Sequence, residues 1–202
     1  MIALINLGNS NIQSVINALN FLEIEYIEVD NADDIEQCDK IILPGVGTFG
    51  NGMEKLKTLN LVEKLRDEVL IQNKPILGIC LGMQMLFDSS EESIDVEGLG
   101  FIPGKVVALP KSDNYKIPRI GWSESKIQFD FLGLRKNESF DFYYIHSFYV
   151  KPEDNSIVAI KTDANLTSSV QYKNIYGCQF HPEKSHIYGL KILKSFSKVE
   201  KI

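Results

Sequence analysis

The feature that most constrains this chain is the alternation, through residues 1–87, of short apolar runs with stretches of helical spacing. Residues 2–7 form an apolar run interrupted at Asn6, and residues 10–22 follow with Ile12, Val15, Ile16 and Leu19 on one helical face. Further β-like runs lie at 26–29 and 40–43, the second ending at Pro44-Gly45. Met53, Leu56, Leu59, Val62, Leu65, Val69 and Leu70 then recur at helical spacing, with Glu, Lys and Arg between them. Residues 75–79 form a fourth strand candidate and 81–87 begin another helix. Strands and helices alternating at this spacing predict a parallel sheet with helices on both faces. Because the crossovers are right-handed, loops that carry function should gather at the carboxyl ends of these strands.

The second half has a different character. Residues 105–109, 141–150, 157–161, 168–172 and 175–180 are rich in Val, Ile, Tyr and Phe. Short links such as Asp154-Asn155 and Lys173-Asn174 separate them, which predicts antiparallel strands. A last helix over 185–196 closes the chain. The predicted fold is α/β, a single domain over 1–202 with a central mixed, mostly parallel sheet flanked by helices and an antiparallel-rich second half.

Composition narrows the function classes. With 202 residues, 44% hydrophobic and 24% charged, the chain is long enough to bury a sizeable core and too apolar to be mostly disordered. A net charge of −6 argues against sequence-independent nucleic-acid binding, which needs clustered Lys and Arg. No uncharged apolar stretch approaches 18 residues, so no membrane span is expected. Three Cys are too few for a disulfide scaffold and point to a reducing cytoplasm. Three Cys and three His show no paired ligand spacing, so neither a metal nor another cofactor is expected.

Chemistry concentrates in two places. Gly78-Ile79-Cys80-Leu81-Gly82 stands where the fourth strand gives way to a helix, the nucleophile-elbow arrangement with Cys in place of Ser. Small residues two positions to either side are what such a sharp turn requires, and the following helix start favours a thiolate. A buried Cys in an ordinary strand-to-helix turn reads the same way in isolation. His181-Pro182-Glu183 follows the apolar run 175–180, so His181 should lie at a strand end, able to take a thiol proton while Glu183 orients its ring.

Taken together, Pro44-Gly45-Val46-Gly47, the block from Gly78 to Gln84 and the block from Cys178 to Ser185 resemble the class I, triad-type glutamine amidotransferases in order and spacing over nearly the whole chain. Within that class the chain is most similar to glutaminase subunits of imidazole glycerol phosphate synthase, through Ile117-Pro118-Arg119-Ile120-Gly121-Trp122 and Tyr144-Ile145-His146-Ser147-Phe148-Tyr149. The resemblance implies that Cys80 attacks the side-chain amide of L-glutamine, that His181 shuttles the proton and that Glu183 orients His181. It implies an oxyanion hole from Val46, Gly47 and Leu81, and contacts to the amino-acid end of the substrate from Gln84, Glu92, Ser147 and Phe148. A carboxylate at Glu92 suits an α-ammonium group, while the pair Glu91-Glu92 also reads as a solvated acidic run.

The resemblance further implies a partner, a (β/α)8-barrel cyclase/synthase subunit in a heterodimer. That partner would receive the ammonia and make imidazole glycerol phosphate and AICAR in histidine biosynthesis. Asn11, Trp122 and Lys184 match positions near such an interface, although Trp122 also reads as a core aromatic. Departures at Asn6-Leu7-Gly8-Asn9-Ser10 and at Pro118-Arg119-Ile120-Gly121-Trp122-Ser123 loosen the pathway assignment, and the His181-Pro182-Glu183-Lys184-Ser185-His186 ending also resembles a paralogous subgroup supplying ammonia for amidino-sugar synthesis. A stand-alone hydrolase and a catalytically silent regulatory subunit remain as further readings. His146, in an aromatic strand, reads as packing or partner contact, and Cys38, Cys178 and His186 read as packing or surface.

Overall fold

The first strand, β1 (Ile2–Ile5), is apolar at every position because both of its faces are covered. Ile2 and Leu4 enter one core, and Ala3 and Ile5 enter another on the opposite side of the sheet. The computed structural model describes residues 1–8, 12–112 and 115–201. Around β1 lie β2 (Tyr26–Val29), β3 (Lys40–Gly45) and β4 (Ile76–Cys80), all parallel. The crossovers are α1 (Ile12–Phe21), which buries Val15, Ile16, Ala18 and Leu19, then α2 (Phe49–Thr58) and α3 (Leu61–Arg66), which continues into a π-helical turn over Asp67–Ile71. After β4 come the one-turn helix α4 (Leu81–Met85) and the short strand β5 (Phe87–Ser90).

The remaining strands are β6 (Ile102–Ala108), β7 (Arg119–Ile127), β8 (Ser139–His146), β9 (Phe148–Pro152), β10 (Val158–Thr162), β11 (Thr167–Tyr172) and β12 (Ile175–Cys178), followed by α5 (His186–Phe196). Nine strands form the main sheet in the order β2-β1-β3-β4-β12-β11-β10-β7-β8. The pairing is parallel from β2 through β12 and antiparallel from there to β8. A second sheet, β5-β6-β9, packs with α2 and α4 in the core on one side, whereas α1 and α5 belong to the core on the other.

Three expectations need correction. The helix predicted over 81–87 stops at Met85, and Phe87 opens β5: a short run that is apolar but for Gln84 has no period that separates helix from buried strand. The run 141–150 is not one strand; it breaks at Ser147, sending β8 to the main sheet and β9 to the small one. The strand-rich half therefore does not form a single sheet. Strand β12 pairs antiparallel with β11 but parallel with β4. This last pairing places the site, because it lays the carboxyl ends of β3, β4 and β12 side by side, with Gly45 opposite Cys80 and Cys178 opposite Ile79.

Candidate active site

Cys80 is the last residue of β4 and stands immediately before α4, with φ 55° and ψ −112°. A non-glycine residue takes that backbone only where its surroundings enforce it. The enforcement is visible at the two flanking glycines. A Cβ on Gly78 would lie 2.6 Å from the Met83 backbone, and one on Gly82 would overlap the Leu43 carbonyl. The G-x-C-x-G pattern is thus a packing requirement between β3, β4 and α4.

His181 lies three residues beyond β12, and its backbone is tied to β8. Its amide donates to the Tyr143 carbonyl at 3.0 Å, while the Ser185 hydroxyl donates to the His181 carbonyl at 2.6 Å and accepts from the Tyr143 amide at 3.0 Å. The His181 ring is buried, with Nδ1 2.8 Å from Oε1 of Glu183, whose side chain is also buried. Burial by itself would lower the His181 pKa, but hydrogen bonding and charge attraction from Cys80 and Glu183 outweigh it and push it up to about 10. The imidazole is therefore held protonated beside Cys80 Sγ.

These groups open onto a cavity of about 260 Å3 lined by Val46, Gly47, Cys80, Leu81, Gln84, Glu92, Pro118, Ile145, His146, Ser147, Phe148 and His181. Every residue named above for the oxyanion hole and for substrate contact borders it. Gln84 is oriented from within: its Nε2 donates to the Phe148 carbonyl at 3.1 Å and to Oε1 of Gln179 at 3.0 Å. Both amide hydrogens thus have protein partners, and Oε1 remains as the acceptor end. Glu92 is not part of a merely solvated run, because its Oε2 accepts the Phe49 amide at 2.7 Å at the start of α2. It joins the substrate side of the cavity to the helix that follows Val46-Gly47.

Two neighbours were not predicted. Gln179, fully buried, donates through Nε2 to Cys80 Sγ at 3.8 Å, and His146 borders the cavity although it was read as packing or partner contact. Of the interface candidates, Asn11 lies outside the described residues. Lys184 is exposed, and Trp122 is not a core aromatic: it is 46% exposed and stacks on His186 at 4.4 Å. Cys178 sits in the core, where burial pushes its thiol pKa up, and Cys38 is buried before β3. Among the described residues no group of three or more His, Cys, Asp or Glu is placed to hold a metal, and no helix is long and apolar enough to cross a membrane.

Known proteins resemble this chain in fold and in sequence. The solved structure described as a glutamine amidotransferase superposes with a TM-score of 0.79 at 18% identity, covering 98% of this chain and 99% of its own. The imidazole glycerol phosphate synthase subunit HisH 1 of Campylobacter jejuni strain 81-176 is 43% identical over 98% of this chain and 100% of its own length. The corresponding subunit HisH of Pyrococcus furiosus is 45% identical, over 98% of each chain. The profile of the family described as glutamine amidotransferase class-I matches residues 3–198, a span that includes both the elbow at Cys80 and the His181–Glu183 pair. The chain belongs to the class-I glutamine amidotransferases.

Proposed function

We propose that this chain is the glutaminase subunit of an imidazole glycerol phosphate synthase, a single domain over residues 1–202 that releases ammonia for a synthase partner. The observation that carries the reading is convergence. Residues from β3, the elbow, the loop after β5, the β8–β9 break and the end of β12 meet around one cavity that also holds Cys80. Glutamine enters with its α-ammonium toward Glu92 and the acceptor end of Gln84, and its α-carboxylate toward the Ser147-Phe148 peptides. The side-chain amide then lies at Cys80.

Cys80 Sγ forms a bond to the amide carbon, and the carbonyl oxygen gains the negative charge. Peptide N–H groups of Leu81 and of the Val46-Gly47 turn stabilise that charge. The C–N bond breaks as the His181 imidazolium gives its proton to the nitrogen, which leaves as ammonia. A water molecule, deprotonated by the now neutral His181, cleaves the thioester; glutamate departs and the sulfur leaves as the thiolate beside the restored imidazolium, ready for the next cycle. Glu183 holds the ring through the 2.8 Å contact at Nδ1 throughout.

Ammonia passes to a (β/α)8-barrel subunit docked over the cavity rim, with Asn11, Trp122 and Lys184 at the contact. The test is covalent. The glutamine analogue 6-diazo-5-oxo-L-norleucine is expected to add one label to the chain, at Cys80, and no label to Cys80→Ala. Absence of labelling in the parent chain would favour a silent regulatory subunit. The His181-to-His186 block supports a second reading, ammonia supply for amidino-sugar synthesis, and the identity of the co-purifying synthase decides between the two.

A further inference from the structure

The β8–β9 break places a histidine where the mechanism above gives it no role. His146 is the last residue of β8, buried, and it borders the cavity. Its Nδ1 lies 2.8 Å from the Phe148 carbonyl oxygen, the same oxygen that accepts the Gln84 amide at 3.1 Å. A carbonyl has no hydrogen to give, so Nδ1 must carry the ring proton and donate. Burial is the main reason the His146 pKa falls to about 4, with the Arg119 and His181 charges acting the same way against the Phe148 contact. The ring is therefore neutral, its single proton is fixed on Nδ1, and Nε2 holds a lone pair with no partner among the described residues.

Two donors thus converge on the carbonyl of the first residue of β9, which stands opposite Ala108 of β6. Ser147 separates two strands of different sheets; the Leu109 amide holds its carbonyl at 2.9 Å, and the clamp on Phe148 fixes the peptide that follows. We propose that His146 is a positioning residue for substrate binding: with Gln84 it clamps the Phe148 carbonyl and so holds the Ser147-Phe148 peptides in the orientation that receives the α-carboxylate of an amino-acid substrate. The inference rests on the proposed glutaminase reading and adds to it a residue that acts through the backbone and not on the reacting atoms.

The test uses two replacements in the chain assembled with its synthase partner. Asn places its Nδ2 where His146 Nδ1 now donates, whereas Gln places its amide where Nε2 lies. His146→Gln is expected to raise KM for glutamine about tenfold, the cost of one lost buried hydrogen bond, with kcat within about threefold of the parent. His146→Asn is expected to keep KM within about threefold of the parent. Alkylation of Cys80 by iodoacetamide, a reagent without an amino-acid end, should proceed equally in all three proteins, while protection by glutamine should weaken only in His146→Gln. An unchanged KM in His146→Gln, equal losses in both variants, or failure of both to fold would overturn the proposal, because the ring would then act by packing. A parent complex that neither turns over glutamine nor is protected by it would instead remove the glutaminase reading.

Discussion

The two ends of strand β4 both carry buried ionisable groups, and they differ in what those groups are left to do. Just before its amino end, Lys74 donates to Glu68 at 2.8 Å and to the carbonyls of Ile35 and Glu36 at 2.8 and 3.3 Å. Lys64 bridges the other Glu68 oxygen at 3.0 Å and Glu36 at 3.1 Å. Asn174 ties this corner to the Val69 and Lys74 carbonyls. The groove there, about 560 Å3, is the larger of the two, yet its buried charges, Glu68 and Lys74, are paired with each other and with Lys64. At the carboxyl end the cavity is about 260 Å3, and its walls combine a strained Cys80, a protonated His181 and an amide whose acceptor end is unengaged. Volume does not mark a reactive site; chemistry held ready and not cancelled by its neighbours does.

Substitutions at the two ends should separate accordingly. Cys80→Gly is expected to remove glutamine turnover by at least about 10^4-fold, since nothing else in the cavity can form the thioester. Its unfolding free energy should stay within about 1 kcal/mol of the parent, because relief of left-handed strain offsets the lost packing and added chain entropy. Urea titration of the variant checks this, and a large destabilisation would show that the elbow is held by the side chain and not by its glycine neighbours. Glu68→Gln should do the opposite. It leaves Lys74 buried without a counter-charge, for an expected loss of about 3–5 kcal/mol, while the folded fraction keeps parental turnover.

The ends should also titrate in different windows. Folded His181 keeps its proton up to about 10, whereas an unfolded histidine releases it near 6.5; its contribution is complete below about 6.5 and is lost as pH rises toward 10. Folded His146 stays neutral down to about 4, so the unfolded chain binds more protons between 6.5 and 4 and stability falls as pH drops through that range. At the other end, Glu68 has its pKa lowered: burial acts upward, but hydrogen bonds from Lys74 and Lys64 outweigh it. Its contribution is present above the ordinary carboxylate value of 4.5 and fades below it. Unfolding followed across pH should show His181→Gln flattening the alkaline limb and His146→Asn the limb between 6.5 and 4, with Glu68 acting only at and below the acid end of the second.

The smallest effect is expected at the rim. Trp122→Ala loses a half-exposed stack on His186, worth about 1 kcal/mol or less to the isolated chain. Its affinity for the synthase partner, read by titration calorimetry, should fall by more than its stability does.

The first half of the chain was legible because each of its elements buries a pattern with a distinct period. Ile2 to Ile5 alternate between two cores, and Val15, Ile16 and Leu19 share one helical face. The elbow and the His181–Glu183 pair were legible because tight turns restrict residue type. Strand β7 was not, since its outer positions include Glu124 and Lys126 and its inner ones Arg119, Ser123 and Ser125, where a ladder of polar contacts to Asp163 and Tyr144 takes the place of apolar packing. The division at Ser147 was equally hidden, because Tyr143 to Val150 read as one β-rich run whichever sheet each residue joins. Gln179 and His146 gave no signal of their own: their roles depend on partners 99 and 2 residues away, and no local pattern records the first.

Strand β12 also governs when the chain becomes reactive. It inserts between β4 and β11, so the thiol near the middle of the sequence meets its base only after residues 175–178 have joined a sheet begun more than a hundred residues earlier. Loop closure of that span is slow compared with local helix formation. During synthesis, a ribosome-bound chain lacking this strand would carry an idle cysteine, unable to hydrolyse the cell's glutamine. Assembly order thus acts as a safety catch written into the topology.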